Sequence, residues 1–173
     1  MITVSQVKAT YPEWLSEQSL ELGKRAAKVA AQMAEQSSIN GELAALWTGP
    51  AGDAAHVSGE QLVARQHRLR DALLQMEQAL GTTGAELSAT RTELDDVVRT
   101  VEDQGWQVAD DGTVSAIPGG PLDEFANISP TNEMRIRQLA AEHTVRVKTI
   151  LAQFDDQDAD GAARLKAAAA ATK

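Results

Sequence analysis

A seven-residue repeat of apolar side chains runs through the middle of the sequence and limits the possible folds more than any other feature. One string of the repeat, which includes two threonines, comprises Ala55, Leu62, Leu69, Met76, Thr83, Thr90 and Val97, and a second comprises Leu73, Leu80, Leu87, Leu94 and Val101. Positions seven apart return to one face of a supercoiled helix, so the two strings form one seam. The sequence therefore predicts a long helix over residues 51–104 with a partner along that seam.

Two further apolar stripes flank this helix. The first, spaced by three, four and seven residues, contains Leu15, Leu22, Ala26, Val29 and Met33, and Leu43 and Trp47 resume its phase. This spacing predicts a helix over residues 13–46. The second stripe predicts a helix over residues 130–171, with Ser129 as its N-cap and Pro130 at its first position.

Between the second and third long helices, the sequence predicts a small β-hairpin over residues 106–117. Trp106 and Val108 alternate with polar residues, as do Val114 and Ala116, and an Asp-Asp-Gly turn signal lies between them. The segment from Pro118 to about Ile128 is expected to be a loop. Residues 1–173 are thus predicted to form a single all-α domain, an elongated antiparallel bundle of three long helices with a small β-hairpin at one end.

Composition excludes several classes of function. The chain has 173 residues and a net charge of −9, which disfavours nucleic acid as a partner. It has no cysteine, which excludes disulfides and thiolate catalysis. No apolar run approaches the roughly 20 residues that span a bilayer, so we expect no transmembrane segment. The first residues lack the basic and apolar regions of a conventional secretory signal, so export would need recognition of the folded surface or the tail.

The segment Trp47-Thr48-Gly49-Pro50 separates the first two predicted helices. Gly49 can adopt a backbone conformation closed to other residues, and Pro50 blocks continuation of the first helix while fitting the start of the second. This tripeptide between two long helices resembles the WXG (Trp-X-Gly) family of helical-hairpin proteins, which type VII, or ESX, secretion systems of actinobacteria and related bacteria export. The resemblance covers about residues 10–104, and the later segments resemble the longer actinobacterial variants.

The resemblance implies a secretion substrate, or a secretion-targeting or adaptor domain, which is made in the cytoplasm and exported to the cell envelope or the medium. Its partner would be a small WXG-type protein or an ESX secretion component, contacted through Leu43, Trp47 and Gly49. Two alternatives stay open. The chain is a self-associating structural protein, because a heptad seam can pair with its own copy. Otherwise it is the N-terminal targeting domain of a larger exported hydrolase or toxin.

The export signal of the WXG family is a Tyr followed four residues later by Asp or Glu. The single Tyr, Tyr11, is followed by Leu15, so the signal is absent in that strict form. Phe154 and Asp158 have the same spacing with Phe in place of Tyr, which makes them a candidate secretion motif. The alternative is that Phe154 packs in the core and Asp158 is a solvated surface residue.

Other candidate chemistry is weak, and we expect neither an enzyme nor a cofactor. Asp156, Asp158, Asp160 and Gly161 match the opening of an EF-hand calcium loop, but its twelfth position is Ala167 rather than a carboxylate. The spacing of His56, Glu60 and His67 does not fit a zinc protease. His143 falls on an apolar stripe, where a core histidine is expected. The sequence therefore predicts no metal site.

Overall fold

The computed structural model describes residues 2–170, and most of them are helical. The elements are α1 (Val4–Ala9), α2 (Glu13–Leu46), α3 (Pro50–Asp103), β1 (Trp106–Val108), β2 (Val114–Ala116), α4 (Pro121–Asn127) and α5 (Pro130–Ala170). The prediction of an all-α fold with one small β-hairpin is confirmed. Position 171, the predicted end of the third long helix, lies outside the described residues.

The ends of the long helices follow the local signals in the sequence. α3 begins one residue before the predicted start, at Pro50, and ends one residue before the predicted end, at Asp103. At the start of α5, the Ser129 hydroxyl accepts a hydrogen bond from the Asn132 N–H at 3.2 Å, which satisfies one of the unpaired helix donors.

The predicted loop from Pro118 to Ile128 is wrong, because residues 121–127 form the short helix α4. Pro121 occupies its first turn, where the missing N–H costs no hydrogen bond. Asp123 lies near the positive end of the helix dipole and accepts a hydrogen bond from the Gly119 N–H at 2.9 Å. These local interactions favour helix where the Pro and Gly content alone suggested a loop.

The predicted β-hairpin is present as two three-residue strands. β1 and β2 pair antiparallel, with Trp106 opposite Ala116 and Val108 opposite Val114. In the turn, the Gly112 N–H donates to the Ala109 carbonyl at 2.9 Å, and Gly112 has a φ of 81°, which few other residues adopt.

The chain divides into two compact units. Unit 1 comprises Met1–Glu13 and Ala85–Asp160, and unit 2 comprises Trp14–Gly84 and Gly161–Lys173. The single-domain organisation of residues 1–173 stays a prediction.

Unit 1 contains most of the fully buried side chains. The largest of these are Leu94, Leu151, Val7, Val98 and Val147. The β-hairpin belongs to this core, because Trp106 is 3% exposed and the Val114 N–H donates to the Thr144 hydroxyl of α5 at 2.9 Å. A two-stranded hairpin is marginal by itself, so its packing on α5 accounts for its order.

The hairpin turn also holds α1 in place. The Ser5 N–H donates to the Asp110 carboxylate at 2.7 Å, and the Val4 N–H donates to the Asp110 carbonyl at 2.9 Å. The hydrogen bond from the Ser5 backbone is the main cause that lowers the pKa of Asp110 below its ordinary value. The carboxylate and the backbone carbonyl of Asp110 therefore each accept a hydrogen bond from an otherwise unpaired N–H group at the start of α1.

Unit 2 is built around close contact between α2 and α3. The Ser19 hydroxyl donates to the Glu77 carbonyl at 2.8 Å, and Gly84 lies against Ser16, where a methyl group would come within 2.7 Å of the serine oxygen. α3 continues through this contact as one helix. Nearer the Trp47 turn, Gly59 of α3 lies against Asn40 of α2. Later residues of α2 therefore contact earlier residues of α3, so the two helices run antiparallel here.

Residues 2–170 contain no helix that is both long enough and apolar enough to cross a membrane.

Candidate interaction surface

The candidate site begins at the turn that joins α2 to α3. The Trp47 N–H still donates to the Leu43 carbonyl at 2.8 Å, and the Asp53 N–H donates to the Gly49 carbonyl at 2.9 Å, so the two helices are separated by very few residues. Gly49 has a φ of 105°, a backbone conformation that other residues rarely adopt, as the sequence predicted. Gly52 is buried against the Trp47 backbone. The reversal between the two helices is therefore sharp.

The two helix segments that meet at this turn, residues 34–71, are named the tip. Gly52 is the single buried residue of the tip. Large apolar side chains of the tip are between 43% and 85% exposed, namely Ile39, Leu43, Leu46, Trp47, Val57, Leu62 and Leu69. Large exposed apolar patches mark interaction sites, so the tip is a candidate interaction surface.

The facing surfaces of α2 and α3 within the tip include polar side chains, among them Asn40 and His56. The Gln36 side-chain amide donates to the Asn40 side-chain oxygen at 3.2 Å, and His56 Nε2 lies 3.3 Å from a Glu60 carboxylate oxygen. His56 Nδ1 and the Gln66 side-chain oxygen are buried with no hydrogen-bond partner among residues 2–170. Unpaired buried polar atoms are costly, so these two atoms lower the stability of the tip.

The second candidate motif, Phe154 and Asp158, lies on the part of α5 that belongs to unit 1. Phe154 is 3% exposed and Asp158 is exposed. Leu43, Trp47 and Gly49 all belong to unit 2.

The residues considered for metal binding are held in helices. Asp156, Asp158 and Asp160 lie within α5, whose helical backbone cannot wrap around a calcium ion as an EF-hand loop does. Within residues 2–170, no group of three or more His, Asp or Glu side chains is placed to hold a metal ion.

Unit 1 contains an open groove of about 700 Å³ between α3 and α5. His143 lines it and packs against the Trp106 ring, with 5.4 Å between the ring centroids. The Thr92 and Thr100 hydroxyls on the opposite side donate to carbonyls of their own helix, at 2.9 and 2.7 Å. These two hydroxyls are therefore engaged in the local structure of α3.

Sequence reasoning found Leu43, Trp47 and the heptad leucines, but it did not single out Ile39, Leu46 and Val57 as part of an exposed surface. Ile39 and Leu46 are seven residues apart, as heptad positions are, and that spacing is the signal that could have found them. No protein-family model, curated protein or solved structure matches this chain.

Proposed function

We propose that this chain is a type VII secretion substrate, or a secretion-targeting or adaptor domain, that works by binding another protein through its helices. The observation that carries the proposal is the tip, where a single residue is buried and large apolar side chains are exposed on both α2 and α3. The Trp-X-Gly turn at Trp47 and Gly49 lies at the centre of this segment. The same role suits a targeting domain at the N-terminus of an exported hydrolase or toxin.

The physical reason is the cost of leaving apolar area in water. Burying exposed apolar surface gains about 25 cal/mol per Å², so a partner that covers several leucines and one tryptophan has a substantial driving force. Trp47 is 49% exposed, and tryptophans at the centre of an interface often dominate its energy. A helical partner suits this surface because its exposed residues follow helical spacing.

The finer architecture is part of the same proposal. α2 and α3 form a WXG-type helical hairpin, and α5 returns along α3, which makes an antiparallel three-helix bundle. Contacts within each unit support it: Ser19 of α2 bonds Glu77 of α3, and Thr90 of α3 donates to Gln157 of α5 at 2.8 Å.

We place the recognition role on Leu43, Trp47 and Gly49 rather than on Phe154 and Asp158. Phe154 is buried in unit 1, so a receptor could read it only after local opening of α5. The three residues at the tip need no such opening, because all of them are exposed.

The test is export from an actinobacterial host whose type VII secretion ATPase can be depleted. We expect wild-type chain in the medium with the ATPase present and its loss on depletion. Trp47→Ala removes the central aromatic side chain and should reduce export and partner binding, the latter by about 2 kcal/mol or more. Trp14→Ala is the matched control, because Trp14 is 53% exposed on the same helix but outside the tip.

Circular dichroism of both variants should match the wild type, since neither tryptophan is buried. Export that continues after ATPase depletion would refute the proposal. Equal export and equal partner affinity of the wild type and Trp47→Ala would remove Trp47 from the binding surface.

Self-association is the second candidate function, favoured by the exposed heptad residues Leu62 and Leu69. In that case the seam of α3 pairs with the seam of a second copy. Light scattering over a range of concentrations separates the two functions, because a monomer at all concentrations excludes self-association.

A further inference from the structure

The heptad seam of α3 is covered along part of its length and open along the rest. Within unit 2, Gly161 of α5 packs directly on Thr83, and Ala168 of α5 lines the same cavity as Ala79. Thr83 is 3% exposed, whereas Leu69 and Leu62, two and three heptads earlier, are 46% and 43% exposed. The seam therefore continues, uncovered, beyond the point where the described part of α5 ends at Ala170.

Helix geometry places a second apolar stripe beside this open part of the seam. Asn40 of α2 faces Gly59 of α3, and each is followed three residues later by a leucine, Leu43 on α2 and Leu62 on α3. Three residues turn a helix by about 300°, so each leucine lies about 60° to one side of the facing residue. Because the two helices are antiparallel, a rotation by three residues along each chain moves both leucines toward the same side of the helix pair.

The two stripes therefore border one apolar groove within the tip. On α2 it is bordered by Leu43 together with Ile39 and Leu46, and on α3 by Leu62 and Leu69. The groove is one helix wide, since the seam that it continues is covered by the single helix α5.

The rims of this groove carry opposite charges. Glu35 and Glu42 lie beyond the apolar stripe of α2, seven residues apart and therefore on one face. Arg65 lies beyond Leu62 on α3. All three are exposed, and within residues 2–170 none of them is in an ion pair. Free charges that flank an apolar seam select the partner helix in coiled coils.

We propose that the groove between α2 and α3 at the tip binds one amphipathic helix of a partner protein, in line with α5, with basic residues toward α2 and acidic residues toward α3. The inference rests on the helix-binding role proposed above and names the kind of partner that fulfils it. The open seam from Ala55 to Leu69 is about 21 Å long, so a partner helix of four to five turns, roughly 18 residues, would cover it.

The probe is a fluorescein-labelled peptide of about 18 residues with leucines at the a and d heptad positions. One version carries Lys on one flank and Glu on the other, and two control versions carry Lys or Glu on both flanks. Fluorescence anisotropy with the full chain should give the tightest binding for the mixed version. Its advantage over both controls should shrink as salt increases.

Leu69→Ser should weaken binding of the mixed peptide by about tenfold or more, the effect of losing one buried leucine. Leu74→Ser is the matched control, because Leu74 is 45% exposed on the same helix but lies off the seam, and it should bind as the wild type does. Glu42→Lys should remove the preference for the mixed peptide over the Glu-flanked one.

Equal binding of all three peptides, or equal loss in the Leu69 and Leu74 variants, would overturn the inference. A dimer that Leu69→Ser dissociates, with no peptide binding, would assign the groove to a second copy and overturn it as well. Failure of the proposed function looks different: the mixed peptide binds as described, but export does not depend on the type VII ATPase.

Discussion

The heptad seam has two environments in this structure, and one pair of leucine-to-alanine substitutions measures the difference. Leu94 is fully buried in unit 1, and Leu62 in the tip is 43% exposed. Both residues are leucines in the heptad strings of α3, so the two substitutions remove the same side-chain atoms from the same helix. Leu94→Ala and Leu62→Ala therefore compare a covered seam position with an open one.

The expected costs differ several-fold. Replacing a fully buried leucine by alanine loses its transfer free energy and leaves a cavity, which costs about 3–5 kcal/mol. Leu62 is already in contact with water, so its truncation should cost less than about 1 kcal/mol.

Urea unfolding measures both values. Trp14 and Trp47 are replaced by Phe in the background, so that fluorescence reports Trp106, which is buried in the same unit as Leu94. Circular dichroism follows the helices as a whole. We expect the urea concentration at the unfolding midpoint to fall strongly for Leu94→Ala and hardly at all for Leu62→Ala. Equal losses would refute the reasoning, because they would mean that the tip shares the stability of the core.

Two further substitutions test the packing. Gly84→Ala should destabilise the chain by up to about 2 kcal/mol, since the cost of overpacking against Ser16 exceeds the gain in helix propensity. Gly41 lies in open space, so Gly41→Ala should stabilise its helix by up to about 1 kcal/mol. The thermal unfolding midpoints of the two variants should therefore shift in opposite directions. The pKa of Asp110 is lowered in the folded state, so its contribution is complete above its ordinary pKa of about 3.9 and is lost as the pH falls through the folded value. Asp110→Asn should therefore make the unfolding midpoint less sensitive to acid than in the wild type. A variant whose midpoint is lower than that of the wild type at every pH, but falls with pH as steeply as in the wild type, would contradict this.

The long helices could be predicted because each carries strong periodicity and clear end signals. Pro50 starts α3 and Ser129 caps α5, and local chemistry of this kind is visible in the sequence. The β-hairpin could be predicted for the same reason, since the Asp-Asp-Gly turn fixes its register.

The short helix α4 is missing from the sequence prediction, because the prolines and glycines around it indicate a loop. Pro121 and Asp123 are nevertheless good residues for a first helical turn. Weighing them as a start signal would have predicted the helix.

The burial of the seam depends on tertiary contacts that the repeat itself does not encode. Leu62, Leu69 and Leu94 have equivalent heptad roles, yet Leu94 alone is fully buried. The difference depends on which part of α3 packs against α5, which a repeat within α3 does not specify. The candidate site could therefore be located at the Trp47 turn, but its exposed surface could not be outlined.

Hydrogen exchange of the free chain and of the chain with the mixed-charge peptide tests most directly whether the tip is a binding surface rather than part of the protein's own core. In the free chain, backbone amides of the tip, such as those of Leu62 and Leu69, should exchange far faster than that of Leu94. With the peptide bound, the tip amides should slow while Leu94 stays unchanged. Tip amides that are as protected as Leu94 in the free chain, and do not respond to the peptide, would contradict the account.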